Sequence, residues 1–159
     1  MGNTMERNVI NIIGGVFVLI IVALFVAPYF YHNDYFVDEA MLANSLFTRD
    51  FFSLSASPLD YSQSAPLGYV YLVKILAIVF GNSVAVTRFL SLAASLLTLV
   101  CTYKTTKKFL LIKYPIFIKG FVGINGLIIR FASNCKQYST ETFLVLLCLY
   151  CLGLFRFVH

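Results

Sequence analysis

Asp38 and Glu39 stand side by side in a chain with only seven acidic residues, five of which fall between residues 34 and 69: Asp34, Asp38, Glu39, Asp50 and Asp60. This is the longest stretch of the chain without a continuous apolar run. A carboxylate pair just beyond a membrane-spanning segment is costly to keep out of water and marks a functional site. Residues 34–69 are therefore taken as the chemical end of a membrane protein, and the apolar remainder as its mount. The other polar residues that can join them are Gln63, Arg88, Lys136, Tyr138 and Glu141. Cysteine and histidine chemistry is weaker. Cys148 and Cys151 have CxxC spacing, but they sit inside an apolar run, and no second Cys or His pair completes a zinc site. Small residues on one helix face is the simpler reading of them, no metal site is assigned, and His32 and His159 are given no role.

The mount is unusually greasy. Of 159 residues, 60% are hydrophobic and 12% charged, against about 25% charged in soluble domains. The net charge of +5 comes from basic residues at the ends of apolar runs, where they act as topology determinants. No basic surface interleaved with aromatics is present, which excludes nucleic acid as a partner.

Residues 9–30 form an uncharged run of the length that crosses about 30 Å of hydrocarbon. It ends in the aromatic Pro28-Tyr29-Phe30-Tyr31 and lacks the cleavage site of a secretory signal. Asp38 is placed to cap a short helix over about 39–49. Ser57-Pro58 and Ser64-Ala65-Pro66 break the chain. Residues 66–80 are apolar but short and interrupted by Lys74, and Gly81-Asn82-Ser83 stops them with a helix-ending Gly and a fresh N-cap. Further apolar runs cover about 84–103, 115–132 and 142–158, with the basic cluster Lys104, Lys107, Lys108 and Lys113 after the first of them.

If residues 66–80 crossed the membrane, that cluster would lie outside; if they lie along the outer interface, it falls inside. The positive-inside bias favours the second arrangement. The expected fold is all-α: a single polytopic transmembrane domain of four spans, both termini cytoplasmic, with an outer loop over 31–83 carrying juxtamembrane helices. This topology puts Asp38, Glu39, Gln63, Arg88, Lys136, Tyr138 and Glu141 on one side.

The segments VDEAMLANSLFTRD, QSAPLGYVYLVKILAIVFGNSVAVTRFLSLAASLLTLVCTYKTTKKF and SNCKQYSTETF together resemble the amino-terminal part of membrane glycosyltransferases of the GT-C class. The closest kin are the bacterial protein O-mannosyltransferase-like and aminoarabinose transferase-like families. The resemblance implies a polyprenyl-phosphate sugar donor and a protein, lipid or glycan acceptor at the outer face of a bacterial plasma membrane. Asp38 matches the family's catalytic acid in the first outer loop, and Glu39 its neighbour. Such a carboxylate takes the proton of an acceptor hydroxyl as it attacks the anomeric carbon, with inversion. The leaving phosphate needs stabilisation by cationic side chains or a divalent cation, and Arg88, then Lys136, are the expected suppliers.

The sequence departs from that pattern in places. Aminoarabinose-type relatives carry Glu-Lys-Pro-Pro where this chain reads Gln63-Ser64-Ala65-Pro66, so their charged donor contacts do not carry over. Glu141 stands where the family often has Asp. Relatives run to roughly a dozen spans, so the chain is expected to be an amino-terminal fragment, with a second chain as one source of the missing spans. The rival expectation is a non-enzymatic membrane protein, either a transporter piece or an interaction subunit. Such a transporter needs ionisable residues or broken helices at mid-membrane.

Overall fold

Glycine, proline and serine divide this chain into helices whose ends are set locally. The computed structural model describes residues 2–31, 33–110 and 115–158; Lys113, His32 and His159 lie outside the described residues. Every regular element among them is helical: α1 (Gly2–Tyr31), α2 (Val37–Thr48), α3 (Phe51–Ala56), a 3-10 turn (Asp60–Ser62), α4 (Leu67–Phe80), α5 (Val84–Phe109), α6 (Pro115–Gly123), α7 (Gly126–Ala132) and α8 (Tyr138–Val158). The stop between α4 and α5 is as expected. Gly81 ends α4 at φ +95°, a conformation open to glycine, and the Ser83 side chain accepts the Val86 N–H to start α5.

Among the described residues three helices (α1, α5 and α8) are long and apolar enough to cross a membrane, and α6 with α7 makes a fourth if counted as one bent span. The run over 115–132 was expected to be continuous, but it breaks by 67° between α6 and α7. The cause is local: Gly123 and Gly126 flank the break, and the Asn125 side chain accepts the N–H groups of Leu127 and Ile128, starting a new helix. The helix over 66–80 is too short to span, as expected.

Within the bundle, α5 is the central helix and packs on α1, α4, α6, α7 and α8. Its buried face carries Thr87, Ser91, Ser95, Thr98 and Thr102. Lipid offers no hydrophobic gain for helix association, so small residues that allow close approach do the work there. Ser95 Oγ donates to Ser139 Oγ of α8 at 2.9 Å. Along α1 and α6, Ile116 lies over Gly14, Phe17 over Gly120 and Ile21 over Gly123, so the two helices run in the same direction with a glycine at each crossing point. Outside the bundle the ordinary hydrophobic effect applies. Leu42, Leu46, Leu54, Tyr69, Val70, Val73 and Cys135 form a separate buried cluster joining α2, α3 and α4, and each buried Leu or Val there is worth about 1.5–3 kcal/mol. Lys74, the charge inside α4, turns towards α2 and donates to the Leu46 carbonyl at 2.6 Å.

This arrangement collects the C-terminal end of α1, the N-terminal end of α5, and the turn from α7 to α8 at one end of the bundle. Tyr29 Oη donates to Ala85 O at 2.7 Å and Ser91 Oγ to Lys136 O at 2.9 Å across that end. Exposed Lys104, Lys107 and Lys108 lie at the opposite end of α5.

Candidate functional site

The first turn of α2 sets the site. Its N-cap is Phe36, not Asp38, and Asp38 and Glu39 both fall inside the first turn. The expectation of Asp38 as the cap fails because Glu39 takes the N-terminal N–H groups: its Oε2 accepts from Phe36 N at 3.0 Å. Adjacent residues on a helix point about 100° apart, so the two carboxylates face different surroundings. Glu39 is 1% exposed, whereas Asp38 is open to solvent.

Arg88, fully buried one turn into α5, meets Glu39 in a two-pronged pair, Nε to Oε1 at 3.0 Å and Nη2 to Oε2 at 2.6 Å. Its Nη2 also donates to the Asp34 carbonyl at 2.9 Å, and its guanidinium lies 5.9 Å from the centre of the Tyr35 ring. Glu39 Oε1 further accepts the backbone N–H of Cys135. One carboxylate thus ties α2, α5 and the turn between α7 and α8 together. Each satisfies the other; Glu39 also borders the open cleft beside Asp38, whereas Arg88 does not line it. A buried pair of this kind is held by its hydrogen bonds, and losing either partner leaves an uncompensated charge.

The surroundings of the pair are dry. Burial pushes the Cys135 thiol up to about 11, so it stays protonated at neutral pH. Burial likewise holds the Tyr69 phenol well above its ordinary value, and its hydroxyl lies 3.4 Å from Ser91 Oγ and 3.8 Å from Cys135 Sγ. Burial also raises Tyr35, whose hydroxyl is 3.0 Å from Thr87 Oγ1.

Asp38 opens instead on a cleft of about 230 Å³ between the start of α2 and residues 130–138. Glu39 borders it beside Asp38; Arg130, Asn134, Lys136 and Tyr138 line the facing wall, and Phe36, Val37 and Phe131 its apolar parts. The Phe131 and Tyr138 rings pack with centroids 4.7 Å apart. Lys136 Nζ donates to Gln63 Oε1 at 2.5 Å, which brings Gln63 to the edge of this group. The structure therefore gathers Asp38, Lys136, Tyr138 and Gln63. Glu141 does not join them; it stays exposed on α8 and does not line the cleft.

Arg130 was not anticipated. The signal for it was a lone cation in the last turn of an apolar run that ends on the same side as the acidic loop. With Glu39 neutralised by Arg88, the cleft holds one uncommitted carboxylate and two cations, and its net charge favours an anion. Among the described residues no three His, Cys, Asp or Glu side chains converge. No family model, curated protein or solved structure matches this chain.

Proposed function

We propose that this chain is the amino-terminal part of a membrane glycosyltransferase, moving a sugar from a polyprenyl-phosphate donor to an acceptor at the outer face of a bacterial plasma membrane. The observation that carries the reading is the pairing, in one cleft at one end of an apolar bundle, of a single uncommitted carboxylate with two cations. Asp38 serves as the base that takes the acceptor's proton, and attack on the anomeric carbon inverts it. The cations oppose the charge that develops on the leaving phosphate. Arg88 holds Glu39 in place at the border of the cleft, next to the base. Both termini are cytoplasmic in this reading, with Lys104, Lys107 and Lys108 on the inner side and the cleft outside.

The resemblance in sequence to GT-C transferases supports the choice of donor, and the order of elements supports it too: one span, an outer helical loop, then further spans. The break between α6 and α7 favours a second reading, because discontinuous helices are the hallmark of transporter binding sites. In that reading the chain is a transporter piece or an interaction subunit with no transfer chemistry.

The deciding experiment measures transfer of radiolabelled sugar from a polyprenyl-phosphate donor in membranes carrying the chain, together with any chain that completes it. Asp38→Asn is expected to abolish transfer while membrane insertion is unchanged. Full transfer by that variant removes Asp38 as the base and with it the enzyme reading.

A further inference from the structure

The two cations of the cleft are held differently. Arg130 is exposed and makes no side-chain hydrogen bond or ion pair among the described residues. Lys136 reaches across to the amide oxygen of Gln63. Gln63 follows two non-glycine residues in the left-handed region, Tyr61 at φ +56° and Ser62 at φ +55°, a conformation that side chains disfavour. Among the described residues one further hydrogen bond joins this segment to the α7–α8 turn, Gln137 Nε2 to Ser64 O at 3.2 Å, and Gln137 Oε1 is buried there without a hydrogen-bond partner. The segment is therefore strained, and few bonds keep it against the cleft.

An amide oxygen is a neutral acceptor, and a phosphate oxygen offers an ammonium both a hydrogen bond and a full charge. We propose that Arg130 and Lys136 together grip the phosphate of an amphiphile, and that Gln63 is the placeholder Lys136 leaves when that phosphate enters. Exposed Phe36 and Val37, with the Phe131–Tyr138 pair, give the amphiphile's chain an apolar surface beside the charges. Departure of Lys136 frees the 61–64 segment to relax, so the seam opens as the anion binds. The proposal rests on the transferase reading only for the amphiphile's identity as a sugar donor.

The test uses the full chain in phosphatidylcholine nanodiscs, titrated with farnesyl phosphate, farnesol and inorganic phosphate, with binding read by thermophoresis. Farnesyl phosphate is expected to bind at least about tenfold tighter than either other probe, as a charge-assisted contact plus apolar burial requires. Arg130→Gln and Lys136→Gln each weaken farnesyl phosphate about tenfold and leave farnesol unchanged. Gln63→Glu also weakens it, because a carboxylate retains Lys136, and Gln63→Ala tightens it by removing the competitor. Unchanged binding in both cation variants overturns the grip, and unchanged binding in Gln63→Glu overturns the exchange. Inorganic phosphate binding as tightly as farnesyl phosphate overturns the amphiphile. Thermal unfolding of each variant confirms that it is folded. No sugar or acceptor is present, so failure here leaves the Asp38→Asn result standing, and failure of that variant leaves the grip standing.

Discussion

Replacing Glu39 by alanine removes, at one stroke, the acceptor for Arg88 Nε, Arg88 Nη2, Phe36 N and Cys135 N. Arg88 is then a fully buried guanidinium with no carboxylate against it, and breaking such a pair from one side costs about 3–5 kcal/mol. The Cys135 N–H adds to this, since an orphaned buried donor costs about 1–3 kcal/mol, while Phe36 is exposed enough for water to replace its bond. The expected loss is therefore at least about 3 kcal/mol. Asp38→Ala, one residue away on the exposed side, is expected to change stability by less than about 0.5 kcal/mol. Equilibrium unfolding in mixed micelles by increasing denaturing detergent measures both. The double variant Glu39→Gln with Arg88→Met should recover most of the loss, because both replacements are neutral and leave no buried charge, and the new amide oxygen at position 39 can still accept a backbone N–H. Hydrogen exchange should rise in Glu39→Ala at residues 133–137 and 34–36, the segments the carboxylate ties down. A loss below about 1 kcal/mol in Glu39→Ala, or equal losses for Glu39 and Asp38, refutes the division of labour between the two carboxylates.

Two further outcomes are expected. A Cβ on Gly120 would lie 2.6 Å from Phe17 Cδ1, so Gly120→Ala should destabilise the bundle by about 1–3 kcal/mol; Gly15→Ala meets nothing within 4 Å and should be neutral or slightly stabilising, both read by the same unfolding titration. The Ser45 hydroxyl and Arg49 hold the Asp60 carboxyl below its ordinary value. A depressed carboxylate stabilises the fold above its unfolded value and loses that contribution as pH falls through the folded one. Protection of residues 45–60 from hydrogen exchange should accordingly be flat from pH 7 to about 5 and drop below about pH 4, and Asp60→Asn should remove that acid-side drop.

Much of the architecture is local in origin, and so was legible. The apolar runs, the stop at Gly81, the N-cap at Ser83 and the short α4 with its single lysine are properties of a few neighbouring residues. The break inside 115–132 was legible in principle, from Asn125 between Gly123 and Gly126, but a hydropathy run hides it because none of the three carries charge. Arg130 is hard to single out for a related reason: at the end of an apolar run a lone arginine looks like a headgroup anchor.

Sequence alone was enough to show an all-helical chain with several helices apolar enough to cross a membrane, and a concentration of acidic residues between residues 34 and 69. Those outcomes follow from hydropathy and helix capping, which act over one or two turns. Which of two adjacent carboxylates faces water and which is buried depends on long-range packing. That choice is set by Arg88, 49 residues away, and by the Cys135 N–H, 96 residues away. A buried charge must meet its partner at hydrogen-bond distance, and no local pattern carries the position of a residue on another helix. The same holds for the cleft, where Asp38, Arg130 and Lys136 become neighbours only because the ends of α2, α7 and α8 converge.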